Sequence, residues 1–345
     1  MKNILKIVAV NLLFVFLILG LFEGLMYGLI QHPAVLKHCP AGIRNSIGYL
    51  YTFGERKVIQ FSPDCARYDA ELGYTLKPGS CEFSATEFRN RYDINSAGLR
   101  DDEKSLKEPD VVVVGDSYAM GWGVNQEESF AEVLEKKSGL NVLNAAIASY
   151  GTAREMLMLR RLDTKKLKVL IIQYCENDFD ENKAFFSNGN RLPVMSPDDY
   201  SRYTELNQRP KPYYPGKYLA MKWEKKRKEW KAGAPRAPET GQAEDDVDLF
   251  INAVQHSPVD LSRVQIVVFE AVGKNDFDRT FISRLTEKIK KGNYPPCIRN
   301  MVPVDITKTI TRDQYYILDD HWTKEGHHAI GAALLKIIRP GQTAG

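Results

Sequence analysis

Val111-Val112-Val113-Val114-Gly115-Asp116-Ser117 is the stretch whose reading sets the fold. Four consecutive β-branched apolar residues, with no polar alternation, describe a strand buried on both faces, as in a parallel sheet. The run stops at a glycine and a serine follows two residues later, where an open α/β sheet presents its reactive groups. Outward from this point strands and helices alternate. A strand at 111–114 precedes a helix around 129–137, a short strand at 141–143, a helix at 152–162 and a third buried strand at 169–174. Then come a helix near 247–254, a strand at 264–269, a helix near 277–290, a short strand at 301–304 and a last helix at 325–338. Strands separated by helices predict parallel pairing with helices on both faces. With right-handed crossovers the pattern fits the doubly wound, flavodoxin-like order 2-1-3-4-5. The switch point of that order lies between the first and third strands, so Ser117 and Asn177 are expected across one crevice.

The chain has 345 residues, 43% of them hydrophobic and 26% charged, which suffices for one large core with extensions. A net charge of +3 gives no case for nucleic acid, and no aromatic-basic platform interleaves with a strand pattern. Residues 7–22 are apolar apart from Asn11, preceded by Lys2 and Lys6, and the apolar character resumes past Glu23 from Leu25 to Ile30. That is long enough to cross a bilayer of roughly 30 Å, and the lysines favour a cytoplasmic N-terminus. No small-x-small cleavage pattern precedes Ala34, and the residues before Cys39 do not form a lipid-attachment site. The expectation is an uncleaved signal anchor over 1–33: a single pass through the inner membrane, with everything beyond it extracytoplasmic, in the periplasm. Cys65 and Cys81 bracket a short loop with Gly73, Pro78 and Gly79 and would close it as a disulfide. Cys175, inside an apolar strand, reads as a buried free thiol. Cys39 and Cys297 are left open between pairing and freedom.

Between anchor and sheet, residues 34–109 read as a stalk (34–61) and a small irregular or β-rich cap (62–109) with Tyr68, Tyr74, Phe83, Phe88 and Tyr92. The cap ends in Asn95, Gly98 and Arg100, which look like a turn and a salt-bridged approach to the first core strand. The α/β domain takes 110–340, interrupted by an insert over 196–245. From Arg209 to Arg236 the insert carries ten Lys/Arg against two Glu, and five acids follow from Glu239 to Asp248. Leu219, Trp223 and Trp230 fall on one face of a helix running through Lys231. This is the pattern of a basic amphipathic lid for a membrane surface or an anionic polymer, or of a solvated helix held by two tryptophans.

Three chemical pieces follow the first strand in order. A nucleophilic serine needs a base, a group that orients the base, and donors for the oxyanion. Ser117 is the candidate nucleophile and His321, directly preceded by two carboxylates, the candidate base. Asp319 is placed to orient the imidazole, with the adjacent Asp320 as its rival. Asn177 offers an amide donor beside the backbone N–H groups of Ser117 and of the loop Ala148-Ser149-Tyr150-Gly151. The same Asp319-Asp320-His321 run is not a metal motif, since no His or Cys accompanies it at ligand spacing.

Gly115-Asp116-Ser117, the loop from Asn144 to Thr152, Asn177-Asp178 and Asp319-Asp320-His321-Trp322 resemble the four blocks of the SGNH/GDSL hydrolase superfamily, over about residues 110–338. The resemblance implies a three-layer α/β/α sandwich and esterase or acylhydrolase activity without metal or organic cofactor. It also implies an oxyanion hole from the Ser117 N–H, a second-block N–H (Ser149 or Gly151) and the Asn177 side chain. Two positions depart from the pattern. Ser149 stands where the family usually has glycine, and Leu318 stands where many members carry the acid. The spacing Asp319-x-His321-Trp322 is similar instead to the branch that includes alginate O-acetylation proteins of bacterial envelopes. The expected activity is removal of acetyl or short acyl groups from an envelope or secreted glycan, in association with envelope polysaccharide machinery. Glycan O-acetyl transfer at the same site is the alternative, as is a non-catalytic glycan-binding envelope protein.

Overall fold

The computed structural model describes residues 2–232 and 245–338. The chain opens with helices α1 (Lys2–Gln31) and α2 (Ala41–Gly54), then two hairpins, β1 (Ala66–Asp69) with β2 (Gly73–Leu76) and β3 (Gly79–Ser84) with β4 (Arg89–Ile94). Next come β5 (Val111–Val114), the single turn α3 (Ser117–Met120), α4 (Phe130–Ser138), β6 (Val142–Asn144), α5 (Thr152–Leu159) and β7 (Val169–Tyr174). Helices α6 (Asp178–Ser187), α7 (Pro197–Gln208), α8 (Lys217–Ala232) and α9 (Asp246–Gln255) lead to β8 (Gln265–Glu270). The chain closes with α10 (Phe281–Lys291), α11 (Pro296–Arg299), β9 (Val302–Val304) and α12 (Lys324–Ile338).

Contacts divide the chain into two units. One holds residues 1–57, 209–243 and 317–319. The other holds 58–208, 244–316 and 320–345, so the hairpins of the expected cap group with the sheet.

In the first unit, α1 runs for 30 residues and is long and apolar enough to cross a membrane. Most of its side chains from Ile4 to Leu21 are exposed. Pro33 removes the N–H that a continued helix would need. The C-terminal third of α1 buries Met26, Leu29 and Ile30, and α2 buries Ile47, Leu50 and Tyr51. The expected stalk is therefore helical over 41–54. The expected tryptophan face is exposed: Trp223 is 73% and Trp230 84% accessible. Arg236 and the acids Glu239 and Glu244 lie outside the described residues, as does the end of the α/β domain beyond 338.

In the second unit, β5–β9 form a five-stranded parallel sheet in the order β6-β5-β7-β8-β9. Successive side chains of a strand point to opposite faces, and each face of this sheet has its own buried apolar cluster. Val111, Val113, Ile171, Val267 and Phe269 pack with Phe130 and Leu134 of α4 and Ile330 and Leu334 of α12. Val112, Val114, Leu170, Ile172 and Val268 pack with Met156 of α5, Phe250 of α9 and Phe281 and Leu285 of α10. This is why the valine run has no polar alternation.

Helix boundaries follow local chemistry. Ser129 caps α4 by accepting the Glu132 N–H, and Gly139 at φ +64° ends it. Cys65, just before β1, and Cys81, in β3, are joined as a disulfide, while Cys39, Cys175 and Cys297 are free.

Candidate functional site

The serine turn, the Asn177 position and His321 lie in the second unit, the first two at the C-terminal ends of β5 and β7. After Val114 the chain turns at Gly115. A Cβ there would lie 2.6 Å from the Gln173 side-chain oxygen, so only glycine lets that amide reach the turn. Gln173, fully buried in β7, accepts the N–H groups of Asp116 (3.0 Å) and Ala119 (3.1 Å). Asp116 caps α3 by accepting the Tyr118 N–H at 2.9 Å. Burial raises the Asp116 pKa; the Tyr118 N–H, His321 and the amides of Gln173 and Asn177 oppose that shift. These contacts fix the backbone on both sides of Ser117, which is itself half-buried.

His321 Nε2 stands 2.7 Å from Ser117 Oγ, although 204 residues separate them in sequence. A short antiparallel bridge between Tyr315 and Trp322 carries the histidine, and the Tyr316 N–H donates to the His321 carbonyl at 3.0 Å. The imidazole lies between Tyr118, with ring centroids 4.6 Å apart, and Trp122, stacked at 5.1 Å. The Tyr118 hydroxyl donates to the Asp320 carbonyl at 2.8 Å, tying α3 to the histidine loop. Two aromatic faces and two backbone ties leave the ring little freedom. If Nε2 accepts from the serine hydroxyl, the neutral ring carries its proton on Nδ1.

The two candidate acids differ in setting. Asp320 is exposed, and its Oδ1 lies 3.5 Å from His321 Nδ1, outside good hydrogen-bond range. Asp319 groups with the first unit, where its side chain is fully buried and its Oδ1 is 3.4 Å from the Arg56 guanidinium. Asp319, Asp320 and His321 are the grouped metal-ligating types among the described residues. His321 already directs Nε2 at the serine, and the run supplies no second histidine or cysteine.

The candidate oxyanion donors separate by what they already bind. Gly151 donates its N–H to Glu181 Oε1 at 3.0 Å, and Glu181 also takes the Arg154 N–H at 3.2 Å. With Asn182 accepting from Ala153, the side chains of α6 cap the first turn of α5, and the Gly151 donor is spent on that cap. Among the described residues, the N–H groups of Ser117 and Ser149 make no intramolecular hydrogen bond. Ser149 adopts φ +60°, a conformation that favours glycine, and its hydroxyl accepts from Gln60 at 3.0 Å. Ile147 donates to the Gly115 carbonyl at 3.1 Å, which holds this loop beside the serine turn. Asn177 is exposed at the N-cap of α6, with its carboxamide beside Asp116.

Three supporting residues escaped the sequence reading, and a fourth, Arg100, was read in another role. Gln173 had a signal, a lone polar residue inside Val-Leu-Ile-Ile-Gln-Tyr. Tyr118 and Trp122 had none beyond proximity to Ser117. Arg100 was expected to make a salt bridge; instead it lies buried 3.8 Å over the Tyr92 ring and donates to the carbonyls of Met120, Gly121 and Val124. Met120 ends α3 and the other two residues follow it, so Arg100 shapes the loop that leaves the Ser117 turn. No protein-family model and no curated protein matches this chain.

Proposed function

We propose that this protein is a membrane-anchored serine esterase that removes acetyl or short acyl groups from an envelope or secreted glycan. The observation that carries the reading is the 2.7 Å contact between His321 Nε2 and Ser117 Oγ at the end of a buried parallel strand. In this reading the sheet and its two buried faces belong to a three-layer α/β/α sandwich with the flavodoxin-like strand order. The anchor is α1, and the site faces the periplasm; the Cys65–Cys81 disulfide favours an oxidising compartment.

The chemistry follows from the donors and acceptors in place. The Ser117 hydroxyl attacks the ester carbonyl carbon while its proton passes to His321 Nε2. The Ser117 and Ser149 N–H groups, with one N–H of the Asn177 carboxamide, stabilise the oxyanion. Collapse of the tetrahedral intermediate breaks the bond to the sugar oxygen, which takes the proton from His321. Water, deprotonated by the same imidazole, then attacks the acyl-serine and releases the carboxylic acid. If a sugar hydroxyl replaces water in that last step, the same site performs O-acyl transfer.

Hydrolysis of an aryl acetate is the direct test. Ser117→Ala should lower the rate on the order of a millionfold if serine and histidine act as a unit. Residual activity close to that of the unaltered protein would remove this mechanism. Adding candidate acceptor glycans then separates the two products, free acetate from acetylated sugar.

A further inference from the structure

Helix α8 has no part in the chemistry above, yet it is attached to α1 at a telling place. Glu23 follows the apolar stretch of α1 directly, and about 20 residues before it span roughly 30 Å of helix, the thickness of a hydrocarbon core. Glu23 is buried, and its carboxylate accepts the N–H groups of Leu219 (2.6 Å) and Tyr218 (3.4 Å) in the first turn of α8. A carboxylate is favoured at a helix N-terminus, so this contact locks the start of α8 to the end of the apolar run. Tyr213, just before α8, packs on Tyr27 with ring centroids 4.8 Å apart. As the chain advances from Tyr213 to Leu219, its partners on α1 move back from Tyr27 to Glu23, toward the apolar segment. Contacts to α2 and its C-cap brace the helix: Lys217 with Glu55 at 2.6 Å, Lys222 with Ser46, and Lys225 over the Tyr49 ring. Beyond these anchors α8 exposes Trp223 and Trp230 together with Lys226, Arg227 and Lys228.

We propose that α8 is an interfacial helix that places Trp223 and Trp230 among lipid headgroups and binds anionic phospholipid through its cationic residues. Tryptophan favours that depth because its ring is apolar and its N–H can still be hydrogen-bonded. Cationic side chains are drawn to the phosphates. Exposed tryptophans on a helix already pinned at the boundary have an occupant within reach. The inference rests on α1 spanning a membrane.

The chain has four tryptophans, and the other two, Trp122 and Trp322, are buried. The full-length protein is placed in nanodiscs whose lipids carry bromine on the acyl carbons nearest the headgroup, and tryptophan quenching is read. With phosphatidylglycerol present, bromine should quench the wild-type emission, and the effect should vanish in the double variant Trp223→Phe, Trp230→Phe. Equal quenching in both proteins overturns the placement of the tryptophans. Undiminished quenching when all lipid is zwitterionic, or when Lys226→Gln and Arg227→Gln are combined, overturns the assignment to anionic headgroups. A soluble anionic polysaccharide that shifts the Trp223 and Trp230 emission where lipid does not would assign α8 to a polymer. Alkaline carbonate extraction keeps the anchor separate. Release of the protein overturns the spanning reading, whereas retention with unquenched tryptophans overturns only the role of α8.

Discussion

Gln173 shows how a single buried polar group holds the turn that carries Ser117. Its amide oxygen takes two N–H groups that flank Ser117, in a strand whose neighbours are apolar. Gln173→Leu would leave both donors buried and unpaired, at a cost of about 2 kcal/mol or more. The expected outcome is a lowered urea midpoint together with a fall in kcat for an aryl acetate; a stability loss with unchanged kcat would make Gln173 merely structural. The two aspartates before His321 make an equally local test. A buried carboxylate holds a tautomer better than an exposed one, because water competes less for its lone pairs. Asp319→Asn should therefore lower kcat by roughly 10⁴, as loss of an orienting acid does elsewhere, while Asp320→Asn should leave most activity. The reverse ranking would move the role to Asp320. Ser117, His321, Asn177 and the two acids were legible because each follows an apolar run or stands in a recognisable block. The choice among backbone donors was not. It depends on Glu181 and Asn182 turning back to cap α5, a tertiary contact that spacing does not encode.

At the scale of elements, α12 is joined to α4 by an imidazole. Buried His327 accepts the Phe130 N–H on Nδ1 at 3.3 Å and stacks on the Phe130 ring. Burial, followed by the nearby positive charge of Arg100, pushes the His327 pKa down to about 3. The folded state thus binds a proton less readily than the unfolded chain, whose histidine has a pKa of about 6.5. His327 stabilises the fold fully above about pH 6.5, and that stability is lost as the pH falls toward about 3. At about 1.4 kcal/mol per pKa unit the loss is on the order of a few kcal/mol. In urea melts from neutral to acid pH, His327→Gln should flatten the decline; an unchanged slope would show that other groups drive it. The β5–β9 alternation was readable from apolar runs and their spacing. The helix inside the expected stalk was not. Ala41–Gly54 contains Pro-free but glycine-bearing sequence with weak intrinsic preference, and burial of Ile47, Leu50 and Tyr51 favours the helix instead.

For the molecule as a whole, the disulfide and the apolar helix α1 belong to the same proposed account of location. The Cys65–Cys81 bridge closes a loop of sequence separation 16, which in the chain-entropy view contributes about 3 kcal/mol. Reduction, or replacement of both cysteines by alanine, should lower the melting temperature by several degrees; no change would mean the bridge is dispensable. Its spacing and its turn residues made it visible in the sequence, and the loop between the two cysteines holds the paired strands β1 and β2. The central claim is that Ser117 is a nucleophile activated by His321. A fluorophosphonate with mass mapping of the adduct tests it most directly. The account predicts one labelled residue, Ser117, with labelling lost in Ser117→Ala and strongly slowed in His321→Ala. An unlabelled native protein, or an adduct that persists in Ser117→Ala, would contradict it.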